Sequence, residues 1–170
     1  MNSTEPNSAK RTASRRLAKG FSLIELLIVV AIILIIAAIA IPNLLRAKIA
    51  ANESSAVNSI RTYTSANVAY SSLCPLVGYP NLLSDLGPGG GACAGGANLV
   101  DPILGSVAPS KAGYTFTYVP AAPSGTNTNY ILNAAPANPG TSGIRYFFCD
   151  ETGVIRYSPA GPATVASPPL

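Results

Sequence analysis

Glu25 is the only charged residue in the apolar run FSLIELLIVVAIILIIAAIAI, residues 21–41. A carboxylate in such a run is costly to hold in lipid and usually serves a function. Two kinds of chemistry suit it. It can pair with a cation at the membrane boundary. It can also cap its own helix, because Ser22-Leu23-Ile24-Glu25 fits a capping box in which Ser22 is the N-cap and Glu25 reaches back to its amide. The three cysteines, Cys74, Cys93 and Cys149, all follow the run. In an oxidising compartment two of them pair and one is left over. Cys74 with Cys93 would close a loop of 18 intervening residues, worth about 3 kcal/mol in the chain-entropy account. Cys149 is the other available partner. Without a CxxC motif, a staple is favoured over redox chemistry.

What is missing narrows the chemistry further. The chain has no histidine, so a Ser-His-Asp triad, a Cys-His pair and an HExxH zinc helix are excluded. A carboxylate-only or Ser-Lys enzyme survives that test, but no grouping of residues points to one. The expectation is a protein that is not an enzyme, with no catalytic residues, no cofactor and no metal. GGGACA at 89–94 loosely fits the relaxed dinucleotide fingerprint, but no strand-like segment precedes it.

The formal charge of +4 is local. Five of the eleven basic residues lie in the first twenty positions, and from residue 21 onward bases and acids balance at six each. Only Lys111, Arg145 and Arg156 are basic after position 73, too few for a nucleic-acid surface.

Four segments follow from the patterning. Residues 1–20 are a polar, basic leader. Residues 21–41, as a helix, span about 31 Å, roughly one hydrocarbon core. The basic flank keeps that end cytoplasmic and sends the C-terminus across. Residues 42–73 continue as an amphipathic helix, with Leu45, Ile49, Ala56, Ile60, Tyr63 and Tyr70 on one face and Asn52 and Asn67 as polar interruptions. Arg46, Lys48, Glu53, Ser54 and Arg61 fall elsewhere. Pro42 is expected to bend or locally unwind the joined helix of about 50 residues, roughly 75 Å long.

Residues 74–170 form a globular part. LGPGGGACAGG (86–96) reads as a flexible loop, and a short helix is expected near 98–105. Strand-like segments are YTFTYV (114–119), YILNA (130–134), IRYFFC (144–149) and VIRYS (154–158), the last two flanking DETG as a hairpin. The tail SPAGPATVASPPL is expected to be irregular.

The stretch KGFSLIELLIVVAIILIIAAIAIP resembles the N-terminal signal of type IV prepilins and pseudopilins. A basic leader ends in Gly20, Phe21 follows, Glu25 is fifth in the apolar run and Pro42 is twenty-second. The likeness is strong over about 50 residues. GYTFTYVP and FFCDETGVIRYS also resemble the C-terminal strands of major pseudopilin-like proteins. The fold implied is α+β, a long N-terminal helix packed on a small antiparallel sheet.

The resemblance implies that a prepilin peptidase cuts between Gly20 and Phe21 and methylates the new amine. Removing the leader removes its five cations, which would otherwise oppose extraction through lipid. The amine of Phe21 on a neighbouring copy is then a natural partner for Glu25 during assembly. The function implied is a structural subunit of a type IV pilus-like filament, foremost a major pseudopilin of type II secretion. A pilin for adhesion or twitching motility is the alternative. Implied partners are further copies of the chain, the peptidase, an inner-membrane assembly platform and membrane lipid, with no nucleic acid. The implied location is the bacterial inner membrane, single-pass with the C-terminal part periplasmic, and then a periplasmic or cell-surface filament. Some major pseudopilins hold calcium near the region of Asp150 and Glu151, but two adjacent acids are simpler turn chemistry. A rival processing site is Ala38-Ile39-Ala40, which would release a soluble exported protein starting at Ile41.

Overall fold

The computed structural model describes residues 20–93, 95–122 and 126–170. The basic leader, residues 1–19, lies outside the described residues. The chain divides into two compact units, one ending at Ala40 and the other running Ile41–Leu170.

The first unit contributes the opening of a 51-residue helix, α1 (Leu23–Leu73). Leu and Ile dominate its sequence there, and no side chain of residues 21–40 is buried. By length and composition this part of α1 is apolar enough to cross a membrane. The helix runs through Pro42. A proline removes one N–H from the ladder without having to end the helix.

In the second unit the rest of α1 faces a five-stranded antiparallel sheet in the order β1 (Ser110–Lys111), β2 (Tyr114–Pro120), β3 (Tyr130–Pro136), β4 (Tyr146–Asp150), β5 (Arg156–Ser158). This is the expected α+β architecture. Each strand pairs with its sequence neighbour, with Phe116 opposite Ala134, Leu132 opposite Cys149 and Phe147 opposite Tyr157. Alternation sets the faces: Tyr130, Leu132 and Ala134 are buried, whereas Ile131 is exposed. Ala56, Ile60, Tyr63 and Tyr70 of α1 join Tyr114, Phe116, Leu132 and Phe147 in one apolar core. Tyr63 and Phe116 meet edge to face with centroids 5.5 Å apart. Each such large side chain, fully buried, stabilises by about 1.5–3 kcal/mol.

Three local expectations are corrected. Leu45 is exposed, because packing of α1 begins only near Ile49. Residues 98–105 form a single turn instead of a helix: Asp101 caps the amides of Ile103 and Leu104 at 2.9 Å, and Gly105 donates to the Asp101 carbonyl at 2.8 Å. A 3-10 turn stands instead at Leu83–Leu86. The glycine loop is folded against its neighbours. Ala97, Asn98 and Leu99 each donate at 2.8 Å to carbonyls of residues 85–87, and Gly87 lies so close to Gly105 that a Cβ at Gly105 would stand 2.2 Å from the Gly87 Cα. The proline-rich tail returns to the sheet, bridging Pro169 to Arg156.

Candidate functional site

The chemistry singled out in the sequence sits where α1 starts. Gly20 is exposed, and no atom lies within 4 Å of where a Cβ would stand. Phe21 is 78% exposed. Ser22 is the N-cap. Its amide donates to Glu25 Oε2 at 2.9 Å, and its carbonyl accepts from Leu26 N–H at 3.2 Å to close the first turn. This is the carboxylate half of the capping box. The Glu25 carboxylate is thus occupied by its own backbone.

A second carboxylate matters in a way the helical pattern missed. Glu53, placed off the apolar face by spacing, is buried. Its Oε1 accepts from the amides of Ile144 and Arg145 at 2.9 and 3.1 Å, and its Oε2 accepts from Arg145 Nε at 2.7 Å. Burial acts to raise its pKa, but those amides and the guanidinium outweigh it and hold the carboxyl below its usual range. One residue earlier, Asn52 donates to the Ser142 carbonyl at 2.7 Å. The pair clamps the segment before β4 onto α1. Only the polar interruption at Asn52 hinted at this seam in the sequence.

Two further anchors hold the segments beyond α1. Cys74 and Cys93 are joined by a disulfide with a Cα–Cα distance of 5.5 Å, and Cys149 is a buried free thiol. Burial pushes that thiol's pKa up. Asn127, which sequence reading passed over, is buried and donates from Nδ2 to the Tyr79 carbonyl and to Asn81 Oδ1 at 3.1 and 2.8 Å. Its Oδ1 accepts from the Ala122 amide at 2.8 Å. Asp150 accepts from the Thr152 amide and hydroxyl, which is turn chemistry. Among the described residues, no group of three or more His, Cys, Asp or Glu side chains is placed to hold a metal.

The family model described as the prokaryotic N-terminal methylation motif matches residues 15–41. A protein named type IV wide pilus major component PilA4, from Thermus thermophilus, is 68% identical over 38 residues, covering 22% of this chain and 29% of the relative. The chain thus matches less than a third of that relative's length. No solved structure matches. Together the two matches show that the chain carries a type IV pilin-family signal.

Proposed function

We propose that this chain is a structural subunit of a type IV pilus-like filament, cut between Gly20 and Phe21, methylated on the new amine and assembled through residues 21–41. The observation that carries the reading is an apolar helical segment with no buried side chain, which holds one carboxylate at the fifth position past the cut. Such a surface calls for cover from lipid and then from other copies. The signal at 15–41 and the relative named as a pilus component support the same reading. The role is structural, not enzymatic. A prepilin peptidase and an inner-membrane platform are the processing and assembly partners. The subunit waits in the inner membrane, N-terminus cytoplasmic and globular part periplasmic.

Cleavage changes what Glu25 faces. In the precursor it accepts the Ser22 amide. In the cut protein an α-amine appears on Phe21, and the amine of a neighbouring copy offers a full charge. Attraction between opposite charges at contact is several-fold stronger at a low-dielectric boundary than in water. The pilus is favoured by the relative's name. A secretion pseudopilus is the second reading, favoured by the resemblance of β2 and of the β4–β5 hairpin to pseudopilin strands.

The test uses Glu25→Gln. Gln can still accept the Ser22 amide, so the variant should be inserted and cut normally. It should enter filaments poorly, measured as the ratio of filament to membrane-pool protein in sheared fractions. Co-expressed wild-type chain should lessen the deficit. Wild-type assembly by the Gln variant would leave capping as the sufficient role. Electron microscopy of those fractions, with a secretion assay on a deletion strain, separates the two machines.

A further inference from the structure

Between Glu25 and Arg46 lie 20 residues without a charge. As a helix they span about 30 Å, the thickness of one hydrocarbon core. If this segment crosses a membrane, Arg46 stands at the far edge of the hydrocarbon. The headgroup layer beyond that edge is about 5–8 Å deep, which takes in roughly the next four residues of a helix. From Pro42 to Asn52 the chain has two bases, Arg46 and Lys48, and no acid.

Arg46 lines a groove of about 280 Å³ with Ile49, Ala50, Glu53, Ile144 and Arg145. Steps of three and four residues put Arg46, Ile49, Ala50 and Glu53 on one face of α1. Glu53 does not cancel Arg46, because its oxygens already accept from the Ile144 and Arg145 amides and from Arg145 Nε. The Arg145 guanidinium is held in place: besides the bond to Glu53, its central carbon lies 5.6 Å from the ring centroids of both Phe147 and Tyr157. Among the described residues its Nη groups make no hydrogen bond, and the side chain is 38% exposed. A fixed guanidinium with free Nη groups suits phosphate oxygens. Two guanidiniums against one carboxylate leave the groove one positive charge, the match for the single negative charge of a phosphodiester.

The other bases do not form such a site. Lys111 pairs with Asp101 at 2.8 Å, and Arg156 donates to the Ser167 carbonyl. Arg61 is exposed, but it stands 15 residues past Arg46, about 22 Å further along the helix and beyond the headgroups. Lys48 is exposed at nearly the depth of Arg46, but two residues round the helix and off the groove.

We propose that this groove holds the phosphate of an anionic phospholipid, from the leaflet next to the globular part, between Arg46 and Arg145. Ile49, Ala50 and the exposed Ile144 lie against the lipid's glycerol and ester carbons. This inference rests on the membrane reading of residues 21–41 and adds to it a site and a lipid class. Free phosphate shares the chemistry, but the depth of Arg46 and the apolar lining favour the lipid. A lipid bound there ties the globular part to the bilayer surface while the subunit waits in the membrane.

The experiment places the full-length chain in vesicles that carry a trace of phosphatidylglycerol, or of phosphatidylcholine, with the same photoreactive group on the headgroup. Labelled residues are then mapped by mass spectrometry. The leader's five cations also draw anionic lipid, but their labels map to residues 1–20 and are counted apart. Labelling of residues 49–50 and 144 should favour the phosphatidylglycerol probe by about tenfold, the scale of one charge-assisted contact. Arg46→Gln should lower that labelling by about tenfold. Lys48→Gln removes the same charge off the groove and should lower it by no more than about threefold, because only diffuse, salt-screened attraction is lost. Arg145→Lys keeps the charge without the fork and should lower it by more than about threefold, with the Cys74–Cys93 bond intact. An excess of soluble glycerol phosphate should leave the labelling unchanged. Equal labelling by the two probes, equal losses in Arg46→Gln and Lys48→Gln, wild-type labelling in Arg145→Lys, or displacement by glycerol phosphate would each overturn the lipid site in a chain that is still inserted. A chain that does not enter the vesicles would overturn the membrane reading itself.

Discussion

Residues 23–40 and the segment of α1 from Glu53 to Tyr70 are both helical, yet they present opposite surfaces. The first is apolar on every side and has no buried side chain. The second is apolar on one side only, and there Ile60 and Tyr63 are fully covered by the chain's own sheet. A helix apolar all round needs an environment that the chain does not supply; a one-sided helix finds its partner within the fold. Changes in the first region should therefore disturb processing and assembly while leaving the folding of Ile41–Leu170 intact. Changes in the second should do the reverse.

The largest effect expected is all-or-none. Gly20 presents no side chain beside the bond to Phe21, and a branched residue there would obstruct a tight peptidase site. Gly20→Val should leave full-length precursor in the membrane, read by intact mass, with an unchanged unfolding transition for the globular part. Normal mature mass in this variant would overturn the processing assignment. A shifted transition would overturn the separation of the two regions.

The next effect belongs to the globular part. Replacing Cys74 and Cys93 together by Ala removes a cross-link spanning 19 positions and should cost about 3 kcal/mol of stability. The loss should appear in denaturant unfolding of the globular part, with cleavage at Gly20 unaffected. In the unmodified protein, alkylation of the denatured, unreduced chain should label one residue, Cys149. Labelling of Cys93 would overturn the pairing.

These two regions were unequally legible in the sequence. The N-terminal segment was the more legible as an apolar helix, because such a helix is specified by local composition alone, and Glu25 is visible as an exception within it. The strands were legible from alternation at Tyr114, Phe116 and Tyr118, and from turn residues after Asp150. Glu53 was not, because spacing places it beside the apolar face and only the fold brings the Ile144 and Arg145 amides to it. The helix expected near 98–105 is a single turn capped by Asp101, with Gly105 packed against Gly87, a long-range approach that local sequence does not reveal. Asn127 gave no signal, since its role depends on residues 77–81, far away in sequence.

A smaller effect tests that seam by pH. The Glu53 carboxyl titrates below its usual range when folded. Its contribution is therefore present above the unfolded-state pKa and is lost as pH falls through the folded value. Glu53→Gln should lower stability by about 1–3 kcal/mol near neutral pH, the scale of hydrogen bonds to a charged group. The difference from wild type should shrink at pH values below the ordinary carboxylate range. A deficit that stays constant across the acid range would mean that shape, not charge, holds the seam.

The smallest effect separates an ion pair with one buried partner, Glu53, from a pair exposed on both sides in the same unit. Lys111 and Asp101 make the same kind of contact as Arg145 and Glu53, at a similar distance, 2.8 against 2.7 Å. What differs is exposure: the Lys111 and Asp101 side chains are 38% and 41% exposed, whereas Glu53 is only 8% exposed. Water screens the first pair, and holding a lysine in one rotamer offsets part of the gain, so a few tenths of a kcal/mol is the scale expected. Asp101 is held below its usual range first by the Lys111 ammonium and then by the Leu104 amide. The amide remains when Lys111 is removed, so the turn at 101–105 should persist. Lys111→Met should therefore change unfolding free energy by less than about 0.5 kcal/mol, and added salt should erase the difference. The measurement is the denaturation midpoint at low and high salt. A loss comparable to that of Glu53→Gln would show that distance, and not burial, sets the strength of ion pairs in this domain.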